Sequence, residues 1–244
     1  MPDGPSRPLQ EAVFELYPIS SPGWSDLSYK RLAEVAGEKF AGPKDALRQM
    51  GIEVELGPDA VTPPAIKTPP IRHRLWTPDR GEMFQFAPDV CAYNVMSHYT
   101  HFEDHVPEMR RLFEAYLNEA QPNAINLVGQ RYINKFLIAK DDQPEEYFQF
   151  YPRLPAAQAP RLFALQVATE AFEGGQVVVN LVHRGEEGGS AAYLLDIYAQ
   201  GSTGTVERSA GSVIAWQERA HQPVRRAFMM ALTEGALKRW WGAK

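Results

Sequence analysis

Polar and apolar residues alternate along "LQEAVFELYPI" from Leu9 and stop at Pro18, the pattern of a strand with one wet face. Ser25 then stands where it can cap a helix in which Leu27, Leu32, Val35, Ala36 and Phe40 recur at helical spacing, and "AGPKD" ends that helix. "GIEVEL" reads as a short second strand. Five prolines in residues 57–70, none able to donate an N–H to a ladder, predict an irregular connecting loop. "IRHRLWTPDRGEMFQFAP" follows as two strands joined at "TPDRG", and "DVCAYNVMS" as a third, which makes an antiparallel meander. From about Glu103 to Ala120, Val106, Met109, Phe113 and Tyr116 fall three or four apart: one buried helical stripe, with Arg110, Arg111 and Glu114 mostly outside.

"INLVGQRYINKF", Ile125 to Phe136, is the next strand, and it carries unusual residues for one. Period-2 alternation puts Gly129, Arg131 and Ile133 on one face and Gln130, Tyr132 and Asn134 on the other. A glycine two positions before an arginine leaves room for a backbone, an aromatic ring or a ligand, while the guanidinium offers a fork of donors to a carboxylate or phosphate. The expectation is that Gly129 and Arg131 face the interior of the first half, with Arg131 paired to an internal acid such as Glu11 or Glu103. Breaking a truly buried pair of that kind costs about 3–5 kcal/mol.

The acidic and then proline- and alanine-rich stretch "AKDDQPEEYFQFYPRLPAAQAP" divides the chain. Residues 1–142 form an N-terminal α+β half (strand, helix, strands, helix, strand), 143–160 a linker, and 161–244 strands followed by helix. "RLFALQVATEAF", "QVVVNLVHRG" and "AAYLLDIYAQ" read as hairpin strands, and helical sequence runs from about Ser212 to Trp241. In it Pro223 either kinks one helix or sits in the first turn of a second. The predicted fold class is α+β, with antiparallel sheets in two halves that are each packed with helices; one continuous sheet shared by both halves is the open variant.

Composition narrows the function only by exclusion. A net charge of -5 and a pI of about 5.7 give no overall positive field for nucleic acid, although a local basic patch remains open. The single cysteine, Cys91, in an apolar run, reads as a buried thiol in a reducing cytoplasm. No uninterrupted apolar run approaches the roughly 20 residues that span a bilayer, so a soluble cytoplasmic protein without a membrane partner is expected. No Walker loop, Gly-x-Ser-x-Gly elbow, paired Cys-x-x-Cys or dinucleotide-binding glycine motif occurs in a strand-to-helix context, and no cofactor is predicted.

Three groups of residues carry the candidate chemistry. "HYTHFEDH" supplies His98, His101 and His105, a conceivable zinc or iron set. Pro107 argues against it, because a proline early in a helix places the helix start at or after Asp104 and leaves His101 outside. Lys238, Arg239, Trp240 and Trp241 resemble a platform for stacked bases, or serve to dock the last helix or a partner. His221, seven residues before Phe228, can titrate near neutrality, with capping or packing as the commoner role.

Taken together, Pro8, Leu9, Glu11, Ala12, Tyr99, Phe102, Glu103, Gly129, Arg131, Tyr132, Asn134, His221, Phe228, Thr233 and Glu234 resemble an uncharacterised, sporadically distributed bacterial protein family with a Gly-x-Arg-Tyr-x-Asn strand. The resemblance spans nearly the whole chain and implies no reaction; scattered occurrence of that kind suits bacterial defence or conflict gene clusters. The functional expectation is a non-enzymatic binding or adaptor protein that recognises a protein partner or a small ligand. Arg131, Tyr132, Asn134, His221, Trp240 and Trp241 are its candidate contacts. A metal-dependent hydrolase or nuclease using His98, His101 and His105, and a nucleic-acid-binding module, are the alternatives.

Overall fold

The computed structural model describes residues 8–47, 51–53, 65–67, 70–96, 99–152, 163–202 and 207–242. One antiparallel sheet of nine strands dominates it, in the order β2-β5-β6-β7-β1-β8-β11-β10-β9. Its centre is β1 (Leu9–Pro18) paired to β7 (Val90–Val95) on one side and to β8 (Ile125–Ala139) on the other. β5 (Arg72–Trp76) and β6 (Glu82–Ala87) extend the sheet beyond β7 as the predicted meander. On the far side β11 (Ser190–Ser202), β10 (Gly175–Glu187) and β9 (Phe163–Phe172) follow as two hairpins.

The sheet runs through both predicted halves. β8 pairs with β11 from Ala139↔Ser190 to Leu127↔Ser202, so the ladder continues from the N-terminal half into the C-terminal one. The open variant, one continuous sheet, is therefore the observed α+β architecture. Much of the predicted linker lies outside the described residues; the part that is seen holds a 3-10 turn, Pro144–Glu146, and an isolated bridge from Phe148 to Leu232.

Four helices are seen among the described residues: α1 (Ser28–Ala36), α2 (Phe102–Ala120), α3 (Ala210–Ala231) and α4 (Glu234–Trp241). α2 lays Met109, Phe113 and Tyr116 on the sheet with no exposure, as its periodicity predicts, and Leu112 joins them. Val106, at the margin of that stripe, is half-buried. Of the residues expected outside, Arg111 swings back to donate to the last carbonyls of α1, those of Val35 and Ala36, which have no partner within their own helix. α3 buries Val213, Ile214, Trp216, Gln217 and Ala220 against the sheet. Gln217 Nε2 donates to the Gly129 carbonyl at 3.1 Å and ties α3 to β8.

Local details depart from expectation where tertiary contacts outweigh sequence signals. Ser25 does not cap α1: its own N–H donates to Ser28 Oγ, and Leu27 holds the cap position without a side-chain bond. β2 (Lys44–Leu47) forms just after the predicted helix stop because β5 offers it a ladder. β3 (Gly51–Glu53) finds its partner in β4 (Ala65–Lys67), inside the proline-rich segment predicted to be irregular. α2 begins at Phe102, two residues earlier than Pro107 suggested, so His105 is helical. The carbonyl that Pro107 leaves unpaired is that of exposed Glu103, where water can satisfy it. Pro223 lies inside α3, and the carbonyl it strands belongs to exposed Arg219. The helical break comes instead at Leu232, where Thr233 caps α4 by accepting from the Ala236 N–H at 3.2 Å.

Candidate functional site

The two faces of β8 separate as alternation requires, but the interior is the opposite one from that expected. Val128, Gln130, Tyr132, Asn134, Phe136 and Ile138 point at the helices, and all are at most 9% exposed. Arg131 lies on the other face, which the helices leave open, and its side chain is 43% exposed. The physical reason lies in what covers each row. α3 packs on the row of Val128, Tyr132 and Phe136, which holds both aromatic rings of the strand, and burying those rings outweighs the cost of the polar residues between them.

On the open face Arg131 does find a carboxylate, but neither Glu11 nor Glu103. Its Nε and an Nη donate to both oxygens of Asp196 on β11, at 2.8 and 2.7 Å. Asn180 Nδ2 supplies a third donor to Asp196 at 3.1 Å. Gly129 has a steric role: a Cβ there would come within 2.7 Å of the Tyr198 ring and 2.9 Å of Glu15 Cγ. Of the occupants suggested by the sequence, an aromatic ring is the one that fills the space. Glu15, beneath that ring, accepts from Tyr17 Oη at 2.9 Å, and burial holds its carboxyl above the usual range, countered in part by Tyr17, Tyr198 and Arg131.

On the helix-covered face the sheet and helices do not close completely. A cavity of about 210 Å³ is lined by Leu9 of β1, Tyr132 and Asn134 of β8, Tyr99 and Thr100 before α2, His221, Val224, Arg225 and Phe228 of α3, and Trp241 of α4. Leu9 and Asn134 are direct partners across the β1–β8 ladder. The α3 contribution follows helical arithmetic, since positions 221, 224, 225 and 228 share one face. Residues far apart in the chain thus meet at one place, and Leu9, Tyr99, Tyr132, Asn134, His221 and Phe228 all belong to the set that carries the family resemblance.

The cavity wall is a hydrogen-bonded network. Tyr99 Oη and Tyr132 Oη are 2.9 Å apart, Gln130 Nε2 donates to Tyr132 Oη at 2.7 Å, and His221 Nδ1 lies 3.3 Å from both Gln130 Nε2 and Tyr132 Oη. With donors directed at Nδ1, the neutral ring carries its proton on Nε2. His221 stacks on Phe102 at 5.2 Å, and burial holds its pKa below the ordinary histidine value; Glu103 opposes the shift and Arg225 adds to it. Burial likewise pushes the Tyr99 phenol up to about 12 and Tyr132 well above its usual range. At neutral pH these groups are uncharged donors and acceptors. Asn134, 3% exposed, donates to the Leu195 and Tyr132 carbonyls at 3.3 and 3.4 Å. The Gln130 Oε1 atom is buried without a partner.

The remaining candidates disperse. Trp240 packs edge-on to Phe136 at 4.9 Å and beside Tyr147, docking α4 onto the core. Trp241 stands at the rim of the cavity, 37% exposed and edge-on to Phe228 at 5.2 Å. The two tryptophans therefore do not form one stacking platform. Of the histidine set, His98 lies outside the described residues, His101 is exposed ahead of α2, and His105 is turned inward with Nδ1 at 3.2 Å from Tyr93 Oη. Among the described residues no group of three or more histidine, cysteine, aspartate or glutamate side chains is placed to hold a metal ion. Cys91 is buried, as expected, with its thiol pKa raised by burial.

Sequence reasoning overlooked Val224, Arg225, Thr100 and Gln130 as site residues. The signal for the first two was present as the 221, 224, 225, 228 stripe, and leaving Pro223 open between a kink and the start of a second helix hid it. No model of a known protein family matches the chain, and no curated protein matches it. Among the described residues no helix is long and apolar enough to cross a membrane.

Proposed function

We propose that this is a binding protein whose ligand is a small molecule held in the cavity between β1, β8 and α3. One observation carries the reading: apolar and hydrogen-bonding side chains from separate elements converge on a single partly closed space. The size sets the scale. A cavity of about 150 Å³ admits benzene, so about 210 Å³ suits one ring with a few substituents. The protonation states favour binding over acid–base chemistry, because a phenol near pKa 12 and a histidine held neutral by burial are suited to hydrogen bonding in place. The resemblance to a sporadically distributed bacterial family gives such a binder a setting in defence or conflict gene clusters, as a sensing or adaptor component.

The test is a ligand-observed NMR screen of one-ring polar compounds against the parent protein and Leu9→Trp, which fills the cavity from β1. Binders to the parent that are lost with Leu9→Trp, while that variant melts cooperatively like the parent, support the reading. Binders that ignore the substitution, or a parent that binds none of the compounds, overturn it.

A further inference from the structure

Resting on the binding reading above, we propose a class for the ligand: a monocyclic aromatic acid, its ring among the cavity's aromatic side chains, its carboxylate on Arg225 and a polar substituent at the far end of the ring. Floor and mouth differ in charge. The floor is Tyr132 and Asn134, 9% and 3% exposed, and their polar atoms are neutral. The mouth holds Arg225, an exposed residue of α3, with Trp241 and Phe228 beside it.

Among the described residues Arg225 is the only ionised group lining the cavity once His221 is held neutral, and it forms no ion pair with any of them. Glu103, the carboxylate that opposes the shift at His221, is outside the lining. A cationic ligand would therefore meet like charge at the mouth, whereas a carboxylate meets the planar donor fork that fits it in two bonds. A purely hydrocarbon ligand would displace water and offer no donor to Asn134 Oδ1, the floor atom that no hydrogen bond among the described residues engages. A ring fits the walls because Tyr99, Phe228 and Trp241 supply aromatic surfaces on several sides of a volume of about one ring. The para arrangement of a hydroxyl and a carboxylate spans such a space, with the hydroxyl at Asn134 and Tyr132 and the acid at the mouth.

The experiment compares 4-hydroxybenzoate with its neutral isostere 4-hydroxybenzamide by calorimetric titration of the parent protein and of Arg225→Gln. Arg225 is exposed, so its replacement leaves the fold intact. The expected result is that the parent binds the acid about ten- to a hundredfold more tightly than the amide, and that Arg225→Gln weakens the acid far more than the amide, so that this preference disappears. Equal binding of acid and amide by the parent overturns the acid class and leaves the cavity as a binding site. An acid preference that survives in Arg225→Gln overturns the role of Arg225. Failure of both compounds to bind the parent overturns this proposal, and if the wider screen is also empty the binding reading falls with it.

Discussion

β8 carries polar clusters on both of its faces, and the two solve the problem of polar groups in a sheet in opposite ways. On the face the helices leave open, Asp196 and Glu15 are themselves buried, 7% and 9% exposed, and water reaches the cluster through Arg131, which is half-exposed and bonds to both oxygens of Asp196. On the face under α2 and α3, Gln130, Tyr132, Asn134 and His221 are uncharged and bonded to one another, and the space left beside them is the cavity. Charge stays where a partner that reaches water shares it, and neutral dipoles go where none does. A cavity walled by neutral dipoles and rings is suited to receive a small molecule. A charged cluster satisfied by its own members is suited to join β8 to β11.

The strongest way to break this comparison is to cut apolar area from the covered face alone. Phe136→Ala, which removes a fully buried ring packed on Phe148 and Trp240, should cost about 3–5 kcal/mol of unfolding free energy. Its neighbour Leu137, 45% exposed on the open face, should tolerate alanine within about 0.5 kcal/mol. Urea unfolding of both variants checks the pair, and equal costs would show that the open face is covered.

Next in size is Gly129→Val, which forces a side chain into the space held by the Tyr198 ring and Glu15; a loss of about 1–3 kcal/mol is expected in the same assay. Arg131→Ala should cost about 1–2 kcal/mol. That is less than a buried pair would lose, because Arg131 is 43% exposed and Asp196 keeps the Asn180 donor. Binding in the cavity should be unchanged, since Arg131 projects from the other face. A loss of ligand affinity at full stability would reverse the assignment of the two faces.

The smallest effect sharpens the comparison through pH. Burial lowers the pKa of His221 in the folded state, so from the ordinary histidine value downward the unfolded chain takes up a proton that the folded one refuses, and stability falls as pH falls. Glu15 has the opposite sign. Its folded pKa is raised, so its contribution is fully present below the ordinary carboxyl value and is lost as pH rises through the raised one. Between about pH 7.5 and pH 5.5, His221→Gln should therefore lose less melting temperature than the parent. A parent and variant with parallel pH profiles would show that His221 is not held neutral.

Much of the fold was legible because hydrophobic periodicity is a local property. β1, the β5–β6–β7 meander, α2 and the β9–β10–β11 hairpins follow from the spacing of apolar residues and from turn residues, both of which act over a few positions. β2 and β4 were not legible in the same way, because each is a few residues held only by its ladder partner. The candidate site divides along the same line. That Arg131 and Tyr132 point to opposite faces follows from the strand geometry of the chain itself. Which face becomes interior was decided by α2 and α3, which arrive from elsewhere in the sequence and cover the row that holds both aromatic rings of the strand. The partner of Arg131, Asp196, lies 65 residues away and becomes its neighbour only through the β8–β11 register. The cavity is more dependent still on tertiary structure, because a space exists only between packed elements, and sequence can name the residues of its wall but not the gap they leave.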